Sequence, residues 1–236
     1  MTSVRREELA ANLTAVRRRI RAACDASGRP ESDVALLAVS KTFPAADVAE
    51  LLELGQYDMA ESRHQEAVGK AHEVGRHDLV RWHFLGQLQR NKAAAVAAYA
   101  TCVHSLDRLE LVAPLARGAE SHGRRVDVLV QINLDETMTG SRGGTDPEQS
   151  LPLAAAVAGE ASLALCGVMG IAPRGGDPRS AFARLRLAAE RIRAEHPGAT
   201  VISAGMSGDL EAAIAEGSTL VRVGTALFGH RPPALG

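Results

Sequence analysis

The feature that most constrains this chain is an alternation between two apolar periodicities. Short, nearly continuous apolar runs of strand length recur between longer segments whose apolar residues return every three or four positions. The first run is Val34-Ala-Leu-Leu-Ala-Val-Ser40-Lys41. Such a run suits a strand of a parallel sheet covered on both faces. Further strands are expected at 57–61, 82–85, 101–105, 126–134, 163–167, 200–203 and 220–224. The helical period fills 62–74, 89–98, 107–119, 147–158, 178–195 and 209–216, and a helix is expected from Pro44 to a stop at Gly55. Ahead of the first strand, Leu9, Leu13, Val16 and Ile20 mark an additional amphipathic helix over 3–26, ended near Gly28 and Pro30. Eight strands alternating with helices predict an α/β fold, a closed (β/α)8 TIM barrel, with 1–236 as one domain. An open doubly wound sheet is disfavoured because no G-x-G-x-x-G follows the first strand.

Charge narrows the function. With 27 Lys and Arg against 28 Asp and Glu, the formal charge is −1. A grip on nucleic acid or on an anionic membrane needs a basic excess, so neither partner is expected. Only one Trp and two Tyr are present, too few for a base-stacking surface. Cys24, Cys102 and Cys166 form no C-x-x-C pair, and the histidines form no H-E-x-x-H, so neither a disulfide framework nor a metal site is expected. The first 21 residues carry arginines and glutamates rather than the apolar stretch of a signal peptide, and a cytoplasmic location is expected.

Three places carry candidate chemistry. Lys41 closes the first apolar run, on the face shared by Val39, Leu37 and Ala35. It is either a solvated lysine at a strand–loop junction, or an amine whose pKa is lowered by desolvation so that it can form a Schiff base with an aldehyde. Ser203-Ala-Gly205-Met206-Ser207-Gly208-Asp209 combines a small-residue turn with a helix start, either a simple cap or a phosphate cradle. Arg222-Val-Gly224-Thr225 leaves the last strand through residues of little bulk, either to turn the chain or to let the backbone approach a ligand. Loops after strands 7 and 8 are the favoured phosphate position of this fold. Arg222 itself is expected either to pair with Asp209 or Glu211 or to meet a ligand. Glu61, His64 and His83, near strand ends, are expected to serve the scaffold.

Together these describe a barrel for an aldehyde phosphate, and the sequence resembles the pyridoxal phosphate homeostasis protein family. The resemblance rests on Leu37-Ala-Val-Ser-Lys41-Thr, Trp82-His-Phe-Leu-Gly86-x-Leu-Gln-x-Asn91-Lys92, Gly205-Met-Ser207-x-Asp209-x-Glu211 and Arg222-Val-Gly-Thr-Ala-Leu-Phe-Gly229, and it spans nearly the whole chain. It implies an alanine racemase-like barrel without that enzyme's second domain. It further implies that Lys41 holds pyridoxal 5'-phosphate (PLP) as a Schiff base, and that Ser203, Ser207, Gly224 and Thr225 hold the phosphate with Gly205 and Met206 contributing backbone. Arg222 would face the pyridine nitrogen and keep it unprotonated, which weakens the ring as an electron sink.

The chain departs from the family pattern at three points. Ser62 stands where an asparagine near the cofactor ring is usual, Gln87 replaces a common proline, and Arg142 takes the place of a lysine before glycine. The function implied is PLP binding and intracellular PLP homeostasis, extending to delivery to apo-enzymes, without catalysis. The alternative is a PLP-dependent racemase or decarboxylase. In the racemases, however, a tyrosine from the second domain is the other base, and Tyr57 and Tyr99 match no such position.

Overall fold

The computed structural model describes residues 4–76, 79–135 and 143–229. Eight parallel strands close in chain order into a barrel: β1 (Ala35–Val39), β2 (Asp58–Glu61), β3 (Arg81–Phe84), β4 (Cys102–Leu106), β5 (Val126–Gln131), β6 (Leu163–Met169), β7 (Val201–Ser203) and β8 (Leu220–Val223). Closure is made by β1 on β8, with Ala35 opposite Leu220 and Leu37 opposite Arg222. The helices are α1 (Val4–Ala26), α2 (Ala45–Glu53), α3 (His64–Val74), α4 (Ala93–Ala97), α5 (Val112–Ser121), α6 (Ser150–Ala158), α7 (Pro178–Glu195), α8 (Leu210–Ala215) and α9 (Thr225–Phe228). Among the described residues no helix is long and apolar enough to cross a membrane.

The strands' two faces explain why their sequences are apolar almost throughout. Val103, Val128, Val130, Val168 and Ile202 point outward, into a core shared with α4 to α7. Ala38, Met59, Trp82, Val221 and Val223 point outward on the other side, against α1, α2, α8 and α9. The alternate residues look inward, where Leu37, Val39 and Ala60 form one small cluster and Cys102, Leu129 and Met169 another. Between β5 and β6 the register shifts after Val128. Gly167 sits there at φ 150°, and a Cβ on it would lie 1.9 Å from the carbonyl oxygen of Val201, so the neighbouring strand passes where any other side chain would begin.

All eight expected strands form, with ends displaced by a few residues. Three expected helices, 89–98, 107–119 and 147–158, open on a tighter 3₁₀ turn before the α-helix proper. The largest departure at the site concerns β1, which ends at Val39, so Lys41 lies in the following turn rather than on the strand. The additional helix α1 buries Leu9, Leu13, Val16 and Ile20 across the β1–β8 seam. Each such burial contributes about 1.5–3 kcal/mol. Polar ties fix its register: Arg5 donates to Asp47 at 2.6 Å and to the Phe228 carbonyl at 2.9 Å, and Asn12 donates to the Leu227 carbonyl at 3.0 Å. The N-terminal helix thereby braces the loop that leaves β8, one wall of the site.

Candidate functional site

The C-terminal ends of the strands open into a cavity of about 260 Å³. Lys41, Met206, Ser207, Arg222, Gly224 and Thr225 line it, against apolar walls of Val39, Phe43, Leu85 and Ile171. Six of the nine site residues picked from sequence therefore meet in one place, brought together from the turns after β1 and β7, from β8 itself and from the turn that follows it.

The turn bearing Lys41 is pinned on both sides of the lysine. Before it, the Ser40 hydroxyl donates to Glu61 Oε1 at 2.7 Å, while Lys70 Nζ donates to the Ser40 carbonyl at 2.6 Å. After it, the Thr42 amide donates to Glu66, and Thr42 adopts φ 71°, a left-handed conformation costly for a β-branched residue. Lys70 also donates to Glu61 and, at 3.0 Å, to Glu66. Glu61 and Lys70 are both buried, and Glu61 Oε2 has no hydrogen-bond partner. Burial pushes the Glu61 carboxyl up, against the opposing pull of Lys70 and Ser40. This buried ion network fixes the backbone on which Lys41 is mounted.

The loops after β7 and β8 are stitched to each other. Ser207 does not cap α8; its hydroxyl accepts from the Ala226 amide at 3.3 Å, across the two loops. The Met206 amide donates to Asp209 Oδ1 at 2.6 Å, and that contact shapes the turn ahead of α8. Gly205 sits at φ 89°, and a Cβ there would stand 2.7 Å from that of Ala213. Its carbonyl accepts from the Arg222 amide at 2.9 Å, extending the β7–β8 ladder by one bond. Gly224 passes close to β1, where a Cβ would lie 3.3 Å from the Val39 carbonyl oxygen. Both glycines are places where the backbone occupies the room a side chain would take.

Arg222 meets neither carboxylate weighed for it in the sequence: Glu211 pairs with Arg19 on the outer surface at 2.8 Å. The guanidinium instead donates to the Ser203 carbonyl at 2.6 Å, the Ser203 hydroxyl at 2.9 Å and the Gly170 carbonyl at 2.9 Å. Those bonds use three of its five N–H donors, and the residue also lines the cavity. Burial pushes it down to about 10, with Asp209 opposing. A buried cation lining a cavity favours an electron-rich acceptor there.

The remaining expectations fall elsewhere. Ser203 lies fully buried beneath Arg222 and reaches the cavity through it. Ser62 and Gly205 are not among the lining residues, although the Ser62 carbonyl packs against Gly86, where a Cβ would come within 1.9 Å. Gln87 is exposed, and Arg142 lies outside the described residues. His64 stacks on Tyr99 at a centroid distance of 5.8 Å, with Nδ1 buried and unbonded. His83 lies in the barrel interior, bonded to Asp58 at the start of β2, and is not among the residues that line the mouth. Sequence reasoning missed Lys70 and His104. Lys70 had a readable signal, since it follows Glu66 by one helical turn on the face of buried Ala67 and Ala71. His104 had a weaker one, a polar residue inside an apolar strand, sharing an inward face with Cys102.

Comparison with known proteins agrees with this geometry. Residues 11–232 match the family described as alanine racemase, N-terminal domain. A pyridoxal phosphate homeostasis protein of Mycobacterium leprae is 46% identical, covering 95% of this chain and 93% of its own. Among solved structures, PipY of Synechococcus elongatus, determined with PLP bound, is 33% identical with a TM-score of 0.81, covering 94% of this chain and all of its own. An alanine racemase of Clostridium difficile shares the fold at 19% identity and a TM-score of 0.73, with 97% of this chain but 61% of the racemase covered. On its fold, its mouth residues and these relatives, the chain belongs to the pyridoxal phosphate homeostasis protein family.

Proposed function

We propose that this chain binds PLP in the barrel mouth, with the cofactor's aldehyde carbon held by Lys41, and that it serves PLP homeostasis without catalysing a reaction of its own. The observation that carries the proposal is the convergence of Lys41, Arg222, Ser207 and Thr225 on one cavity of about 260 Å³. That is small beside the ~300–1,000 Å³ of drug-sized ligand sites, and it suits a compact planar cofactor. PLP supplies an aldehyde that condenses with amines and a ring able to accept electron density. The donor set fits it: an amine on a pinned turn, hydroxyls and tight backbone from the loops after β7 and β8, and a guanidinium opposite. In that arrangement Ser207, Gly224 and Thr225, with the backbone of Met206, hold the phosphate, while Gly205 allows the turn and Ser203 acts from beneath through Arg222. Arg222 faces the ring nitrogen, and Ser62, packed on Gly86, stands behind the lining residues.

A guanidinium donating to the ring nitrogen disfavours a second positive charge on it, which limits carbanion chemistry. The described lining residues offer one amine and no second general base, which supports binding over racemisation. Tyr57 is exposed at the opposite end of the barrel beside Arg81, and Tyr99 packs behind α4 on His64. Delivery to apo-enzymes in the cytoplasm belongs to the same proposal. Three cysteines without a disulfide suit a reducing compartment.

The test is to add PLP to purified protein and follow near-visible absorption before and after borohydride. The holo-protein is then incubated with amino acids in deuterated water. The expected results are an absorption band lost on reduction and no exchange of the amino-acid α-proton. Failure to take up PLP overturns the binding site, and sustained exchange that disappears in Lys41→Ala overturns the non-catalytic part.

A further inference from the structure

The barrel interior carries polar residues that the mouth does not use directly. Asp58 opens β2 at the floor, His83 and His104 sit inward on β3 and β4, and Ser203 ends β7 beneath the mouth. Their contacts run in one line. His83 Nε2 lies 3.2 Å from Asp58 Oδ1, His83 Nδ1 lies 2.9 Å from His104 Nε2, and His104 Nδ1 lies 3.0 Å from the Ser203 hydroxyl. Ser203 in turn accepts from Arg222 at 2.9 Å, and Arg81 grips Asp58 at 2.6 and 2.5 Å.

We propose that Asp58, His83, His104 and Ser203 form a positioning chain that crosses the barrel and fixes the guanidinium of Arg222 in the mouth. The proposal rests on the PLP reading for its function and on the protein alone for its structure. Donor and acceptor counting gives the line one direction. The Ser203 oxygen accepts from Arg222, so its single proton goes to His104 Nδ1. His104 then carries its proton on Nε2 and donates to His83 Nδ1. His83 carries its own on Nε2 and donates to the Asp58 carboxylate. With both imidazoles neutral, every ring nitrogen and the serine hydroxyl are satisfied. Reversing the direction requires a doubly protonated His83 and leaves the buried Ser203 proton without an acceptor, a penalty the forward order avoids. Burial holds His104 well below the usual imidazole range, with His83 and Arg222 acting in the same sense.

Cys102 offers a competing use of the same histidines, since its sulfur and one nitrogen of each ring lie within 4.8 Å of one another. A cation there would displace the shared proton and add positive charge beneath Arg222, whereas the hydrogen-bonded line is complete without one.

The first test uses uniformly ¹⁵N-labelled protein without cofactor at neutral pH. The expected result is the Nε2–H tautomer for both His83 and His104, unchanged by a chelator. An Nδ1–H His104, a doubly protonated His83, or a spectrum altered by chelation overturns the proposal. The second test compares His104→Phe, which cuts the line, with His104→Gln, which keeps an acceptor toward Ser203 and a donor toward His83. Exchange of the Arg222 guanidinium N–H groups with solvent is expected to accelerate in the Phe variant and to return toward wild type in the Gln variant. PLP affinity is expected to fall about 3- to 10-fold in His104→Phe and to recover in His104→Gln. Equal exchange and affinity in wild type and the Phe variant, or no recovery in the Gln variant, overturns the chain. If wild type takes up no PLP, the proposed function fails, while tautomers and exchange still decide the chain.

Discussion

Replacing Lys70 by methionine tests whether the buried network under Lys41 does the work assigned to it. In the wild type, Lys70 donates to Glu61, to Glu66 at 3.0 Å and to the Ser40 carbonyl at 2.6 Å. Methionine fills the volume but supplies none of these bonds. Glu61, fully buried and with Oε2 already unbonded, would retain only the Ser40 hydroxyl. Removing one partner of a buried ion pair costs about 3–5 kcal/mol when the other stays charged. Glu61 escapes part of that cost by taking up a proton. Its folded-state pKa, already raised by burial above 4.5, rises further in the variant. A carboxyl raised on folding contributes stability below its unfolded pKa and loses it as pH rises through the folded value. The loss in Lys70→Met is therefore expected to be about 1–2 kcal/mol near pH 4.5 and to grow to about 3–5 kcal/mol at pH 8. Urea denaturation across that range measures it, and Glu61→Gln combined with Lys70→Met should recover at least about 2 kcal/mol at pH 8. A loss below about 1 kcal/mol that does not vary with pH would refute the network as a stabilised, charged clamp.

Other outcomes follow from single residues. Burial pushes the Asp58 carboxyl up, but bonds from His83 and Arg81 outweigh it and hold it at about 2, against an ordinary 3.8. A depressed carboxyl stabilises above its unfolded pKa and loses that contribution as pH falls through the folded one, so Asp58→Asn should flatten the acid limb of thermal stability between about pH 4 and 2. Gly205→Ala places a Cβ 2.7 Å from that of Ala213 at φ 89°; a stability loss of about 2–3 kcal/mol by denaturant titration is expected, and PLP binding should weaken with it. Arg222→Gln removes the charge opposite Lys41, and equilibrium titration should show PLP affinity about 10- to 100-fold weaker.

Much of this fold is legible because strands buried on both faces carry a signal of their own. The runs around Val34 and Val126 contain apolar residues on consecutive positions, and period and length together separate them from helices. Strand ends are less legible. The β1 pattern continues through Ser40 and Lys41, yet the chain leaves the sheet after Val39, because the bonds that end it come from Glu61, Glu66 and Lys70 elsewhere in the sequence. The same limit applies to the site. Lys41, Ser207, Arg222, Gly224 and Thr225 stand out because each is chemically distinct at a strand's C-terminal end. The supports beneath them, Lys70 under Lys41 and His104 under Arg222, are fixed by long-range contacts that only closure of the barrel brings together. Arg222 illustrates the difference: its position predicts a partner, but its partners are two main-chain carbonyls and a serine, which leave no mark in a charge pattern.

The central claim is that Lys41 is the residue that holds the cofactor. It is tested most directly by loading the protein with PLP, reducing with borohydride and mapping the modified peptide by mass spectrometry. One pyridoxyl group per chain on Lys41, absent from Lys41→Ala treated identically, is the predicted result. A pyridoxyl group on Lys70 or Lys92 instead, or adduct formation undiminished in Lys41→Ala, would contradict it.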